Sequence, residues 1–493
     1  MSGTPLKNKT PNKIVSVLKF GGSCLKDSSS IRKAALIVKE QNERAAVVVS
    51  ALQGVTDLLL EAYHQALGQE KNFRGILNHL KQKHLILASE LLSLKRFGLL
   101  SEKLTGIFAG LDRLLKGISL VGETGPGLKA RVLSQGERLS AFLVAETLIE
   151  IGLEARVYES DRIGLIVDRP GEEATVNIEK FDKNFAGTLK EIERGLFVPV
   201  FTGFFGCTEN GQIALLGRNG SDYSAALMTR ALGADFLITY KDVAGFLTAD
   251  PDVVPGAKLI PSLSQKEAAE LSYFGAKILH PKTFEPISSR RVILEIRNFD
   301  KPQVAGTTIT KKAVRTKEII KSFSVNRNIS VLRIEGPNVG YQPGIIGQLG
   351  GRLSEKGINI LSVLTSQTCI NLILNRTEAE TAHRLLLKLN EPAIKKIILE
   401  SDLALIACVG AGLKKRPGIA GRIFSILARE KINLEFFSGG ASEVALYLLV
   451  KNEDALKAVQ ALHRDYFRAE GTEKSQKSNR KETYDNVTVL SSA

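Results

Sequence analysis

One block of this chain is written twice, at a constant offset of 74 residues. Pro343-Gly344-Ile345, Gly347, Leu353, Ile358 and Asn359 return as Pro417-Gly418-Ile419, Gly421, Leu427, Ile432 and Asn433. An offset kept at every matched position marks an internal duplication. Each copy reads as a strand, a Pro-Gly turn, a helix and a further strand. Past about residue 316 the spacing therefore predicts two βαββα modules, over 317–395 and 396–468. A duplicated module of this kind, set after a complete α/β domain, points to paired regulatory domains.

The part before the repeat, 14–312, alternates strand-like and helical segments through residue 310. Ile14 to Leu18 is a short apolar run that leads into Lys19-Phe20-Gly21-Gly22-Ser23, and from Ser28 onward Ile31, Ala34, Ala35 and Val38 fall at helical spacing. A strand, a glycine turn and a helix with a lysine at the strand's end form a phosphate site in outline. Glycines let backbone approach a phosphate, and a helix start offers free N–H groups. Lys19 adds a point charge for oxygens that become more negative during transfer. This is not a Walker loop, because GxxxxGK[ST] is absent.

Ala45 to Ser50 reads as a buried strand ending in small and hydroxyl residues as far as Thr56, where open α/β sheets bind ligands. Residues 57–118 read as several helices without chemistry. A longer helical pattern over 128–151 holds Ser134-Gln135-Gly136-Glu137-Arg138, and Glu137 there is placed to reach a ligand ammonium. Gly195 to Gly206 predicts a second buried strand. After it, Gly217-Arg218-Asn219-Gly220-Ser221-Asp222 precedes an apolar helical run. An arginine fork framed by glycines suits a carboxylate, and Ser221 at a helix start suits a carboxylate or phosphate. Asp222 could equally cap that helix. A third strand, Ala234 to Tyr240, runs into Lys241-Asp242, and Lys277-Ile278 stands just beyond a later helix.

The chain carries 67 Lys and Arg against 52 Asp and Glu, a net charge of +15. The positives are dispersed and no nucleic-acid-binding signature appears, so handling of anionic small molecules is the expected meaning. No apolar run is long enough to span a membrane. Four cysteines lie far apart without a CxxC pair, and six scattered histidines form no HExxH, so neither a disulfide framework nor a protein-held metal is expected. A reducing cytoplasm is the expected setting. Residues 1–13 and 469–493 are polar tails expected to be disordered.

Taken together, KFGGS, SQGERLS, LGRNGSDYSAA, DPDVVPGAKLI, ELSYFGAKILHP and the two Pro-Gly-Ile repeats resemble the aspartate kinase family in order and spacing, from residue 14 to about 466. The nearest resemblance is to the kinase half of bifunctional aspartokinase–homoserine dehydrogenases. It implies an amino-acid-kinase fold, an open and mostly parallel sheet between helices, followed by two ACT domains. It also implies transfer of phosphate from ATP to the β-carboxylate of L-aspartate, with Mg²⁺ held mainly by the phosphates. Such a step opens lysine, threonine and methionine biosynthesis, under feedback control by an amino acid. Another amino-acid kinase, or a catalytically weak amino-acid sensor, are the alternatives.

Carried over residue by residue, the resemblance puts Lys19, with Phe20, Gly21, Gly22 and Ser23, at the transferring phosphoryl group. Lys241, Asp242, Lys277 and Ile278 would lie against ATP. Ser50 and Thr56 would sit near the accepting carboxylate. Arg218 would hold the α-carboxylate, with Asn219, Gly220 and Ser221 in the same loop, and Glu137 with Asp222 would hold the α-ammonium. Lys19, Asp222 and Lys277 form the implied catalytic set. Three positions that touch nucleotide in relatives differ here: Lys241, Leu247 and Asp252 replace threonine, tyrosine and arginine. Cys24 likewise stands where a hydroxyl is usual. The effector would meet Gly344, Ile345, Ser362, Thr365 and Gln367. Leu361 replaces the acid that lysine-sensitive relatives carry, which favours threonine over lysine. Pairing between chains through the ACT domains is expected, because single modules leave sheet edges open.

Overall fold

The computed structural model describes residues 13–69, 72–275, 278–312, 319–439 and 441–467. Compact contacts divide the chain into two units, one of 1–246 and 259–314, the other of 247–258 and 315–493. The strands of the first unit are β1 (Ser16–Phe20), β2 (Ala45–Val49), β3 (Ala155–Tyr158), β4 (Val198–Thr202), β5 (Phe205–Cys207), β6 (Ile213–Leu215), β7 (Phe236–Lys241), β8 (Ser262–Ser264), β9 (Ile293–Asn298) and β10 (Thr307–Thr310). Eight of them form one sheet in the order β3-β4-β2-β1-β7-β9-β10-β8, parallel except where β10 meets β9. β5 and β6 form a separate hairpin.

β1 and β2 are buried along their whole length, as expected of parallel strands covered on both faces. Valine and alanine supply all of β2, with no polar side to turn outward. β1 lies between β2 and β7, with Lys19 opposite Val48 on one side and Thr239 on the other. The carboxyl ends of β1, β2, β4 and β7 therefore open along the same edge of the sheet, where such folds bind ligands. The expected strand from Gly195 to Gly206 is interrupted. Phe204 takes a left-handed backbone (φ 73°) and turns the chain from β4 into β5.

The second unit contains β11 (Ser322–Asn326), β12 (Ile329–Glu335), β13 (Ile360–Thr365), β14 (Cys369–Asn375), β15 (Lys396–Glu400), β16 (Leu403–Val409), β17 (Phe436–Ser438) and β18 (Ala445–Lys451). They form two antiparallel sheets, β13-β14-β12-β15 and β11-β16-β18-β17. The repeat appears as two matching βαββα cores, but each sheet borrows its outer strand across the expected boundary. β15 follows residue 395 yet pairs with β12, while β11 precedes the first core yet pairs with β16. Exchange covers one edge of each sheet that would otherwise present unpaired backbone.

The glycines record this symmetry. A Cβ on Gly336 would meet the Ala393 carbonyl oxygen before β15, and one on Gly410, its partner in the repeat, would meet that of Ile319 before β11. The segment 247–258 departs from the linear 14–312 expectation, since it packs with the second unit. Both expected tails lie outside the described residues, apart from Lys13.

Because β11 belongs to the second core, Phe323 is fully buried there, edge-on to Tyr466 and Phe467 at ring-centroid distances of 5.4 and 6.1 Å. Phe323→Ala should cost about 3–5 kcal/mol. Chemical unfolding should show the loss in a transition of the second unit, with the first unit's transition unmoved.

Candidate active site

A cleft of about 910 Å³ opens at the carboxyl ends of the central strands. Three charged groups from separate segments meet at its floor. Lys19 is the penultimate residue of β1, Lys241 ends β7, and Asp222 stands in the first turn of the helix Gly220–Ala231. Lys19 Nζ lies 2.6 Å from Asp222 Oδ1 and Lys241 Nζ lies 3.0 Å from Oδ2. The carboxylate is fully buried and both lysines nearly so. Burial pushes the Asp222 carboxyl up, yet the two ammonium groups outweigh it and hold the group below its ordinary range. Lys241 is pulled down, first by burial, against the attraction of Asp222. One carboxylate thus serves two ammonium groups.

Loops that line the same cleft are held in costly conformations. Glu173, Phe204 and Asn219 all line the cleft with positive φ (57°, 73° and 58°). Non-glycine residues rarely adopt that region, and such strain concentrates at functional sites. Asn219 precedes the helix Gly220–Ala231 without capping it by its side chain, and the Gly220 and Asp222 N–H groups bond back to the Gly217 and Asn219 carbonyls. Gly203 is needed here, since a Cβ would come within 2.7 Å of the Ser221 side chain.

The Ser134–Ser140 run supplies the opposite wall. Gly136 lets the helix Gln135–Glu150 lie against the end of β2, where a Cβ would sit 2.8 Å from that of Ala51. Glu137 then accepts a hydrogen bond from the Ala51 N–H at 3.0 Å, and Ser140 Oγ donates to the Ser50 carbonyl at 2.7 Å. Arg138 fixes the other side through Glu159 and Asp161. The second oxygen of Glu137 is buried without a hydrogen-bond partner among the described residues. Burial raises this carboxyl to about 8.

The cleft thus gathers Lys19, Gly21, Gly22, Ser23, Ser50, Thr56, Glu137, Arg218, Asn219, Gly220, Ser221, Lys241, Asp242 and Ile278. Three expectations change. Phe20 is fully buried and stacks on Tyr240 at 5.1 Å, so only its backbone can serve the site. Asp222 makes no side-chain cap on its helix, and both its oxygens lie against lysines. Leu247 and Asp252 lie in the segment that packs with the second unit and do not line the cleft. Lys277 lies outside the described residues. Cys24 is buried beneath the turn, its thiol donating to the Tyr240 carbonyl at 3.3 Å. The sequence reading missed Lys129, Glu172 and Glu173, which also line the cleft, with Lys129 paired to Glu172. A Pro170-Gly171 turn ahead of two acids was the available signal.

In the effector region, the turn after β12 is tied to the end of β13. Gly340 N–H donates to the Gln367 carbonyl at 3.0 Å, and Gly336 N–H to that of Thr368 at 3.0 Å. Gly344, with φ 91°, starts the helix Ile345–Ser354. The Ile345 side chain is core, whereas Ser362 is half-buried and Thr365 and Gln367 are exposed.

Glu137 also sets a pH dependence. Its folded pKa near 8 exceeds that of an unfolded glutamate, so its ionisation opposes folding progressively between about pH 4.5 and 8. Glu137→Gln should therefore gain stability over the parent chain as pH rises through that window, levelling off above it. Melting curves of both ligand-free proteins from pH 5 to 9 measure this difference.

Two family models match the chain. The amino acid kinase family model matches residues 15–298, and an ACT domain model matches 406–466. Aspartokinase 2 of Arabidopsis thaliana, a chloroplastic protein, is 31% identical over 471 residues, covering 93% of this chain and 85% of its own. The structure of E. coli aspartokinase III in complex with aspartate and ADP superposes with a TM-score of 0.81 at 30% identity, covering 92% of this chain and all of that one. The same enzyme in complex with lysine and aspartate gives 0.74 at 29% identity over the same shares. On the kinase fold, the ACT sheets and these likenesses, the chain belongs to the amino acid kinase family, among the aspartokinases.

Proposed function

We propose that this protein transfers the γ-phosphoryl group of ATP to the β-carboxylate of L-aspartate, giving 4-phospho-L-aspartate and ADP. The observation that carries this reading is the Lys19–Asp222–Lys241 cluster, set in one cleft with Arg218 and Glu137. A carboxylate is already a nucleophile, so the protein's work is to position it and to neutralise charge on the phosphoryl oxygens. Lys19 and Lys241 supply that charge, and Asp222 fixes both ammonium groups before substrate arrives. Arg218 pairs with the α-carboxylate. Glu137 takes the α-ammonium on its idle oxygen, and Ser50 and Thr56 flank the accepting carboxylate. Gly21, Gly22 and Ser23 with Asp242 and Ile278 flank the nucleotide, and Mg²⁺ travels with the phosphates. In this reading the reaction opens the route to lysine, threonine and methionine.

Acyl phosphate trapped with hydroxylamine tests the reaction directly, across aspartate, glutamate and acetylglutamate. Lys19→Ala should lower turnover about 10²- to 10³-fold in a folded protein. Near-full turnover by that variant would remove Lys19 from the mechanism.

The regulatory reading is that threonine inhibits and lysine alone does so weakly. The turn at Gly344 opens a helix whose N–H groups suit an amino acid's carboxylate, beside Ser362, Thr365 and Gln367. Leu361 gives an ε-ammonium no acid to meet, and an unpaired buried ammonium is costly. Titrating each amino acid into the assay decides between them. Strong inhibition by lysine with none by threonine would reverse the assignment.

A further inference from the structure

The two ammonium groups at the cleft floor are not equivalent. Lys19 Nζ lies 2.6 Å from Asp222 with its side chain 5% exposed, whereas Lys241 Nζ lies 3.0 Å away with its side chain 14% exposed. Burial and the neighbouring charge of Lys19 both disfavour the Lys241 ammonium, and Asp222 is the main group that favours it. The backbone beneath Lys241 is fixed. Phe299 N–H donates to the Lys241 carbonyl at 2.7 Å, Asn298 Nδ2 donates to the Asp242 carbonyl at 2.9 Å, and Lys241 itself stands in the β7–β9 pairing. Movement of this ammonium is therefore a swing of its flexible four-carbon stem.

The pair spans the two halves of the cleft. Lys241 is followed by Asp242 and Val243 on the cleft wall, the side assigned above to the nucleotide. Asp222 comes directly after Ser221 and close behind Arg218, in the loop assigned above to the amino acid. Both lysines line the cleft, while the Asp222 side chain is fully buried. A buried carboxylate that loses one of its cations must find another, because an uncompensated charge at that depth is strongly destabilising.

We infer that Lys241 is a latch between the two substrates: a nucleotide phosphate draws its ammonium off Asp222, and the α-ammonium of aspartate takes the vacated oxygen. Lys19 stays on the other oxygen. Asp222 thus ends with the two cations it began with, and the phosphate gains one. Without nucleotide, aspartate must compete for that oxygen with a lysine tethered beside it, and binds weakly. Nucleotide therefore promotes aspartate binding, even though two anions brought into one cleft repel each other. The inference deepens the reaction proposed above and rests on it.

Calorimetric titration of the full chain with aspartate tests it without turnover, first alone and then with Mg²⁺ and the non-hydrolysable analogue β,γ-imido-ATP at saturation. The analogue should raise aspartate affinity about 5- to 150-fold, the usual span of coupling between sites, and aspartate should raise affinity for the analogue by the same factor. Lys241→Met removes the charge and keeps an unbranched stem. In that variant the analogue should bind more weakly, aspartate should bind the nucleotide-free protein more tightly than it binds the parent, and the coupling should vanish. Loss of a cation acting only through its charge predicts weaker aspartate binding instead. Asp222 keeps Lys19 in the variant, and Lys241→Thr serves in its place should circular dichroism show Lys241→Met to be poorly folded. Absence of coupling in the parent, or aspartate affinity unchanged or lowered in the folded nucleotide-free variant, overturns the inference. Acyl phosphate formed without coupling overturns the latch alone, whereas coupling without acyl phosphate overturns the kinase reaction and leaves the latch standing.

Discussion

The site depends on a single buried carboxylate. Asp222 is fully buried, and among the described residues Lys19 and Lys241 make its charge tolerable at that depth. The dependence runs both ways, because two ammonium groups at the ends of neighbouring strands would repel each other without the acid between them. Everything else in the cleft is arranged about this cluster. The parallel register of β1 and β7 sets Lys19 opposite Thr239, two residues short of Lys241 and on the same face, and the first turn of the helix Gly220–Ala231 delivers the acid to both lysines. The left-handed residues at 204 and 219 keep that helix start pressed to the sheet edge.

How much of this was legible in the sequence depended on whether a residue's role is set by its own backbone. Gly21-Gly22 and the Gly217–Gly220 frame announce themselves, since only glycine-rich chain makes such turns beside a ligand. The 74-residue repeat is legible for the same local reason. The role of Asp222 was not legible. A carboxylate in a helix's first turn looks alike whether it caps the helix, meets substrate or bridges two lysines, and only the pairing of distant strands decides. Lys241 stood out by type, but its partner did not. Glu172 and Glu173 sit on irregular chain with no period to betray them. Phe20 stands inside the glycine-turn motif, yet its side chain belongs to the core, stacked on Tyr240.

The exchange of strands between the two repeats has a related origin. A linear reading assigns each strand to the repeat in which it is written, and the periodicity of β11 and β15 fits either sheet equally well. What assigns them is the open edge each one covers. The segment 247–258 is the same lesson on a smaller scale, because its Asp-Pro-Asp turn predicts a loop and says nothing about which core receives it.

The exchanged strands also bear on how the chain is made. β11 emerges from the ribosome long before β16, from which it is separated by the entire first core. A bare strand rich in unpaired backbone groups must therefore wait, while β12 to β15 close around one another without it. During that interval it is a template for the equivalent strand of another nascent chain, and pairing of distant segments is slow. A helper that shields polypeptide during synthesis would matter more for this half of the molecule than for the other.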